Sequence, residues 1–264
     1  MTDELTGRPG VPVTPEPILA EVATVDGRVV LRQRWAQLAA FHWDYDPAVV
    51  QAILPPGLRA DTFDGRAWVG LIPFEMERVR FARGPVLPIV GSFVEVNVRT
   101  YVVDGNGRRA VWFSSLDVPT RLVVATARSV FALPYCLADA THTVDGHRHA
   151  YEVTRRWPRH DRTAAPPRAR MEFTVGEPIP EPSELDRFLS ARWALTTTRR
   201  NRLLRGPVGH PAWPLHRIEV ESIDEDLIAA AGLPAPDRPP THTAYSPGVD
   251  VEVGTLRRLT VAGA

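Results

Sequence analysis

The side chains best suited to chemistry share one face of a predicted strand. Residues 93 to 103 alternate between valine and polar or aromatic side chains, as expected of a β-strand. Valines take one face, and the other face carries Glu95, Asn97, Arg99 and Tyr101. Arg99 is suited to bind a carboxylate through paired hydrogen bonds, and Glu95 can act as a general acid or base if burial raises its pKa. The alternative is that the polar face is solvated while the valines form the core.

A second candidate is the stretch from 127 to 138, where an apolar helix ends and the chain breaks at Pro134. Tyr135 follows, and its phenol can donate a hydrogen bond to a carbonyl oxygen of a ligand. We therefore assign catalytic roles to Glu95 and Tyr135. Cys136 is a nucleophile only if a cation lowers its pKa, and strand alternation directs it away from Tyr135. The alternatives are a tyrosine in a pocket wall and a buried, inert cysteine.

Histidines can exchange protons near neutral pH. His42 is either a pocket residue or a hydrogen-bonded core residue, and the same two interpretations hold for His210 and His242 in proline-bounded segments. Three further histidines surround a predicted turn at residues 145 and 146, where solvation is a simpler interpretation than metal binding. They are His142, His147 and His149.

The chain contains no lysine, so its 31 basic residues are all arginine. A Schiff base needs a primary amine, and the only one here is the amino group of Met1. That amino group lies on a tail expected to be disordered, so we do not expect decarboxylation or aldol chemistry through an iminium. No phosphate-binding glycine loop, dinucleotide fingerprint or G-x-S-x-G sequence occurs, and we expect no cofactor and no metal.

Composition narrows the class of protein. The 264 residues carry 31 acidic and 31 basic side chains without a long block of one sign, which argues against nucleic acid as a partner. The single cysteine fits a reducing compartment. Neither a signal peptide nor a membrane-spanning run is predicted, so we expect a cytoplasmic protein whose partner is a small molecule. The sequence is compatible with a homo-oligomer.

Strand signals recur at short intervals and helices are few. Asp46 and Pro47 begin a short helix, and Ser183 with Asp186 forms the capping box of a longer one that extends to about residue 194. One strongly apolar helix is predicted between them. Further predictions are the helices 120–132 and 224–231, hairpins across residues 64–65 and 145–146, a loop edge at 199–205, and strands 213–220 and 248–253.

This pattern indicates a mainly β (α+β) protein, an antiparallel barrel or cone with a few packed helices. We expect one domain over residues 18 to 256, with tails at 1–17 and 257–264, of which the first is disordered.

Several segments together resemble the YqjF-like family, a group of unknown function within the acetoacetate decarboxylase-like superfamily. They extend over most of residues 35 to 250, and no single one is decisive. The segments include LPPGL at 54–58, AWVGL at 67–71, FVEVNVRTY at 93–101, VWFSSLD at 111–117, ARSVFALPY at 127–135 and YSPGVD at 245–250.

The resemblance implies an acetoacetate decarboxylase-like fold with a pocket inside the barrel. Glu95 resembles a pocket glutamate of the decarboxylases, and Arg128 resembles their helix-end arginine. Their lysine pair is replaced by Tyr135 and Cys136, and Ser129 stands where they have glutamate.

We therefore expect a lysine-free binding protein or enzyme whose pocket takes an apolar ligand with a carbonyl or carboxylate group. Glu95 and Tyr135 would be catalytic, and the ligand would also meet the binding residues. These are Arg99, Arg128, Asn97, Tyr101, His42 and Cys136. A biosynthetic cyclase or isomerase and a non-catalytic structural or partner-binding protein are the alternatives.

Overall fold

The computed structural model describes residues 13–20, 24–25, 27–87, 91–159 and 163–260. These residues are mostly β-strands, in agreement with the predicted class. The strands are β1 Val29–Tyr45, β2 Leu58–Ala60, β3 Thr62–Phe63, β4 Arg66–Phe81, β5 Phe93–Asp104, β6 Arg109–Val118, β7 Tyr135–Asp145, β8 Arg148–Trp157, β9 Arg168–Pro178, β10 Ala194–Arg199, β11 Arg202–Gly209, β12 His216–Glu225, β13 His242–Gly254 and β14 Arg257–Arg258.

The helices are short, and α1 and α3 begin where the sequence predicts. α1 (Pro47–Gln51) is capped by the side chain of Asp46, and α3 (Glu184–Ser190) has the reciprocal capping box of Ser183 and Asp186. α3 ends earlier than expected, because the chain turns at Ala191 and then enters β10. α4 (Leu227–Ala230) is shorter than the predicted helix 224–231, because β12 extends to Glu225.

The apolar helix predicted at 120–132 is α2 (Arg121–Thr126) followed by a π-helical turn, Ala127–Phe131. Ala132 then adopts a left-handed conformation with φ of 54°, which ends the helix before Pro134. The chain resumes as β7, which pairs parallel to β6 with Tyr135 opposite Leu116. This crossover connection places Tyr135 beside the central strands.

Seven strands close into a ring. In order, β5, β6, β10, β11, β13, β1 and β4 pair each with the next, and β4 pairs back with β5. The pairs β6–β10 and β6–β7 are parallel, so the predicted antiparallel barrel is instead an irregular ring with mixed pairing. The expected loop at 199–205 is the β10–β11 hairpin, and the strand predicted from 213 begins at His216.

Hydrophobic residues cover both faces of β5. Val96 and Val98 pack into a core with Phe41, Leu71 and Phe173, outside the ring and beneath β7, β8 and β9. The opposite face, with Glu95, looks into the ring. Neither face is solvated, so the polar face is an interior surface.

The predicted N-terminal tail lies mostly outside the described residues. Glu16, in the part that is described, donates its backbone N–H to the carbonyl of Gly107. Near the other end, β14 pairs with β11. Within the described part of the chain, no helix has the length and apolar character that crossing a membrane requires.

Candidate functional site

The ring of seven strands encloses a cavity of about 420 Å³. Its mouth lies at the end of β4 and at α2, where Phe81 and Leu122 line it and are 45% and 57% exposed. Its interior is lined mainly by apolar side chains. Among them are Leu38, Ile72, Phe74, Leu116, Leu133, Leu195, Val208 and Trp213.

A carboxyl group and a phenol form a hydrogen-bonded pair inside the cavity. The Tyr135 phenol donates a hydrogen bond to Oε2 of Glu95 over 3.0 Å, and both side chains are buried. Burial raises the pKa of Glu95 to about 8, although hydrogen bonds from Tyr135 and Asn97 act in the opposite direction. Burial beside Glu95 also raises the pKa of Tyr135 well above its ordinary value. Near neutral pH both groups therefore carry their protons.

Arg99 supplies a buried positive charge two residues beyond Asn97 on the same wall. Its Nη2 donates to the Leu189 carbonyl over 3.1 Å and to the Tyr101 hydroxyl over 3.2 Å. Its guanidinium carbon lies 5.5 Å from the ring centre of Trp213. Within the described residues no carboxylate pairs with it, although only 5% of its surface is exposed. A buried cation without a counterion favours an anionic ligand.

Two further polar side chains reach the cavity near Arg99. Arg192 pairs with Asp61 through Nη1 over 2.6 Å and donates from Nε to the Phe188 carbonyl at the end of α3. His210 donates from Nδ1 to the Pro211 carbonyl, and burial lowers its pKa to about 4. It is therefore neutral, and its Nε2 is an acceptor.

Several buried polar atoms of the lining residues have no hydrogen-bond partner among the described residues. Since an unpaired buried polar group costs roughly 1–3 kcal/mol, these atoms indicate that a ligand or water completes the site. They are Asn97 Oδ1, Trp35 Nε1, Trp213 Nε1 and Arg192 Nη2.

The structure brings together four of the eight residues proposed from the sequence. Glu95, Asn97, Arg99 and Tyr135 all line the cavity. Arg192 and the two indoles were not identified from the sequence, because nothing in the local pattern shows that the chain after α3 returns beneath the ring.

The other proposed residues lie behind the cavity wall. Tyr101 packs on Phe188 below Arg99, and its hydroxyl lies 2.7 Å from Nε2 of the buried His42. Arg128 donates to the Tyr135 carbonyl over 2.8 Å and stacks over Trp157. These residues support the lining side chains from outside.

Cys136 points away from Tyr135, as strand alternation predicts. Its thiol lies 3.6 Å from the Pro134 carbonyl, near the buried ion pair of Asp117 and Arg155. Burial, reinforced by the charge of Asp117, raises its pKa to about 12. Such a thiol is protonated at neutral pH and is a poor nucleophile.

The hairpin histidines are not all solvated, contrary to the simpler expectation. His142 Nδ1 lies 2.8 Å from Oε1 of Glu75, and its Nε2 lies 3.0 Å from His149 Nδ1. His149 is buried, whereas His147 is exposed. No group of three potential metal ligands occurs among the described residues.

Comparison with known proteins agrees with this architecture. Residues 32–250 match the DUF2071 family, described as uncharacterized conserved proteins. The uncharacterized protein YqjF of Bacillus subtilis (strain 168) is 33% identical over 242 residues, which cover 90% of this chain and 96% of that protein.

Two solved structures show the same fold. The enduracididine biosynthesis enzyme MppR, complexed with pyruvate, matches with a TM-score of 0.62 at 14% identity over 88% of this chain and 91% of that chain. Acetoacetate decarboxylase from Legionella pneumophila matches with a TM-score of 0.56 at 14% identity over 100% of both chains. The resemblance inferred from sequence segments is confirmed: the chain belongs to the DUF2071 (YqjF-like) family and has the acetoacetate decarboxylase-like fold.

Proposed function

We propose that the cavity binds a small, largely apolar molecule through a carboxylate or carbonyl group and acts on it by acid–base chemistry. The observation that carries this proposal is Arg99, a buried cation that faces an apolar cavity without a carboxylate partner among the described residues. A ligand carboxylate would supply the missing counterion. Arginine suits this role because its fork of N–H donors matches the two carboxylate oxygens.

The size and lining of the cavity support a small organic ligand. A volume of 420 Å³ lies within the roughly 300–1,000 Å³ range of small-molecule sites. A closed ring with this much open interior also speaks against a purely structural role.

The acid–base part of the proposal rests on Glu95 and Tyr135. A protonated Glu95 can donate to a ligand carbonyl, and its ionised form can remove a proton from the adjacent carbon. A pKa of about 8 makes both forms accessible near neutral pH. This arrangement favours an isomerase- or cyclase-type reaction over Schiff-base decarboxylation, for which the chain has no lysine.

Calorimetric titration with octanoate and octan-1-ol tests the binding role of Arg99. Loss of a charge-assisted hydrogen-bonded pair costs about 1.5–3 kcal/mol, so Arg99→Gln should weaken octanoate binding at least about tenfold. Octan-1-ol binding should change little, and the exposed Arg217→Gln on β12 should affect neither ligand. Equal octanoate affinity in wild type and Arg99→Gln would show that Arg99 does not bind the carboxylate.

Solvent deuterium exchange tests the chemistry. 4-Oxooctanoate, incubated in D₂O and followed by proton NMR, should exchange hydrogens next to its ketone faster with the wild-type protein than in buffer. A general acid–base group contributes about 10²–10⁴-fold, so Glu95→Gln should abolish most of the acceleration. Acceleration that survives in Glu95→Gln would exclude Glu95 as the acid–base group.

A further inference from the structure

A groove rich in arginine lies on the outer surface and adjoins the cavity. The β10–β11 hairpin, β14 and the end of the π-helical turn form it, and its volume is about 560 Å³. Phe131 and Leu256 line both the groove and the cavity. The two spaces therefore adjoin at these two side chains.

The groove is strongly positive. Four arginines line it, whereas the described lining residues include no aspartate or glutamate. None of the four makes an ion pair within the described part of the chain, in contrast to Arg148 and Arg170, which are also exposed and pair with glutamates. The four are Arg199, Arg200, Arg202 and Arg258.

The groove is also fixed in place. Arg199 donates to the Ser129 carbonyl over 3.0 Å and to the Val130 carbonyl, which ties the hairpin to the end of the π-helical turn. Only part of its guanidinium is used in this way, and the remaining N–H groups are free to bind a ligand.

The hairpin turn places an arginine where glycine or asparagine would be easier. Arg200 and Asn201 both have positive φ, at 49° and 58°. A two-residue hairpin loop needs positive φ at both of its central residues, and a non-glycine residue there costs of order 1–3 kcal/mol. Asn201 is a common residue for this conformation, but Arg200 is not.

We propose that this groove, residues Arg199, Arg200, Arg202 and Arg258, binds the phosphate group of a ligand whose apolar part occupies the cavity. This inference rests on the proposed function and names its ligand class: a phosphorylated apolar molecule. Arginine clusters bind phosphate oxygens through paired N–H donors. Two sources share the phosphate and the apolar part. The thioester of a phosphorylated acyl carrier also has the carbonyl group of the proposed function, whereas a prenyl diphosphate lacks it, so a gain for the prenyl compound alone would support the groove and contradict the carbonyl contact.

Matched ligand pairs test the inference by calorimetry. Octanoyl-coenzyme A is compared with octanoyl-pantetheine, which keeps the thioester and lacks the phosphates, and geranyl diphosphate with geraniol. The phosphorylated member of at least one pair should bind wild type at least about tenfold more tightly, and this gain should shrink as salt is added. The pair that shows the gain identifies the source of the phosphate.

The double variant Arg200→Gln/Arg258→Gln should remove most of the gain and leave the binding of octanoyl-pantetheine and geraniol unchanged. The control Arg187→Gln/Arg217→Gln removes two exposed arginines that line neither space and should keep the gain. A gain that persists in the groove variant, or no gain in wild type, would overturn the inference. So would inorganic pyrophosphate that binds as tightly as geranyl diphosphate, because the apolar part would then contribute nothing.

Failure of this inference and failure of the proposed function give different results. If octanoate binds in an Arg99-dependent way but phosphorylated ligands gain nothing, the groove inference is wrong and the proposed function stands. If none of the apolar ligands binds, both are wrong.

Discussion

The phenol of Tyr135 donates a hydrogen bond to the carboxyl group of Glu95 inside a largely apolar cavity. The two residues come from different parts of the fold, Glu95 from β5 and Tyr135 from the start of β7. Their contact depends on the crossover connection through α2 and the π-helical turn, which brings β7 alongside β6. Burial keeps both groups protonated near neutral pH, and Glu95, with a pKa of about 8, is the more readily ionised of the two.

Glu95 should make the stability of the protein fall as pH rises. Its pKa is about 8 in the folded state against 4.5 in the unfolded chain, so the folded state holds one more proton between these values. This group alone lowers the free energy of unfolding by about 1.4 kcal/mol per pH unit across that window. Glu95→Gln lacks this dependence. Its free energy of unfolding should therefore rise relative to that of wild type from pH 5 to 8, and the difference should be constant above pH 8.

Urea unfolding of both proteins from pH 5 to 9 measures this difference. Glu219→Gln, at an exposed position on β12, serves as the control and should parallel wild type. A stability difference between Glu95→Gln and wild type that does not change with pH would show that Glu95 ionises as an ordinary carboxyl group.

Tyr135→Phe should raise the pKa of Glu95 above 8. The hydrogen bond from Tyr135 stabilises the ionised carboxylate and so lowers the pKa of Glu95, and phenylalanine removes that donor while keeping the ring. The carbon-13 shift of the Glu95 carboxyl carbon, titrated by NMR in both proteins, measures the change. A lower pKa in Tyr135→Phe would mean that the phenol does not stabilise the carboxylate.

Asp117 and Arg155 should contribute strongly to stability as a pair. Both are buried, and two hydrogen bonds of 2.7 and 2.8 Å join them. Asp117→Asn leaves the Arg155 charge uncompensated and should cost about 3–5 kcal/mol in the free energy of unfolding.

The exposed pair Arg168–Asp224 is the matched control. Asp224→Asn should cost less than about 1 kcal/mol, because solvent screens the pair. Denaturant midpoints of the two variants measure both costs. Similar costs for Asp117→Asn and Asp224→Asn would contradict the burial argument.

Cys136 should be unreactive in the folded protein. Its pKa of about 12 leaves almost no thiolate at pH 8, and only 4% of the residue is exposed. A coloured disulfide reagent should label it at least about a hundredfold more slowly in buffer than in denaturant, given this difference in thiolate fraction. Rapid labelling of the folded protein would show an accessible thiolate.

Local patterns in the sequence predict much of the fold. The alternation of β5 correctly groups Glu95, Asn97 and Arg99 on one wall, because a strand sends every second side chain to the same side. The caps at Asp46 and Ser183 are likewise local signals, since each side chain binds a backbone N–H two or three residues later.

Features set by distant parts of the chain could not be predicted. Arg192 becomes buried only because Asp61, far away in sequence, supplies its counterion. The arginine groove exists only because the β10–β11 hairpin folds against the π-helical turn, and a basic stretch at 199–205 resembles a solvated loop when considered alone. Ring closure is a property of pairing between strands, which local periodicity does not encode.

The most direct test of the central claim is the ionisation of a bound acid. Octanoate labelled with carbon-13 at its carboxyl group is bound to the protein and titrated by NMR from pH 7 downward. If Arg99 is its counterion, the bound carboxylate should stay ionised to a pH well below that at which free octanoate takes up its proton, and Arg99→Gln should abolish this difference. A bound carboxyl group that titrates like the free acid, or that is unaffected by Arg99→Gln, would contradict the account.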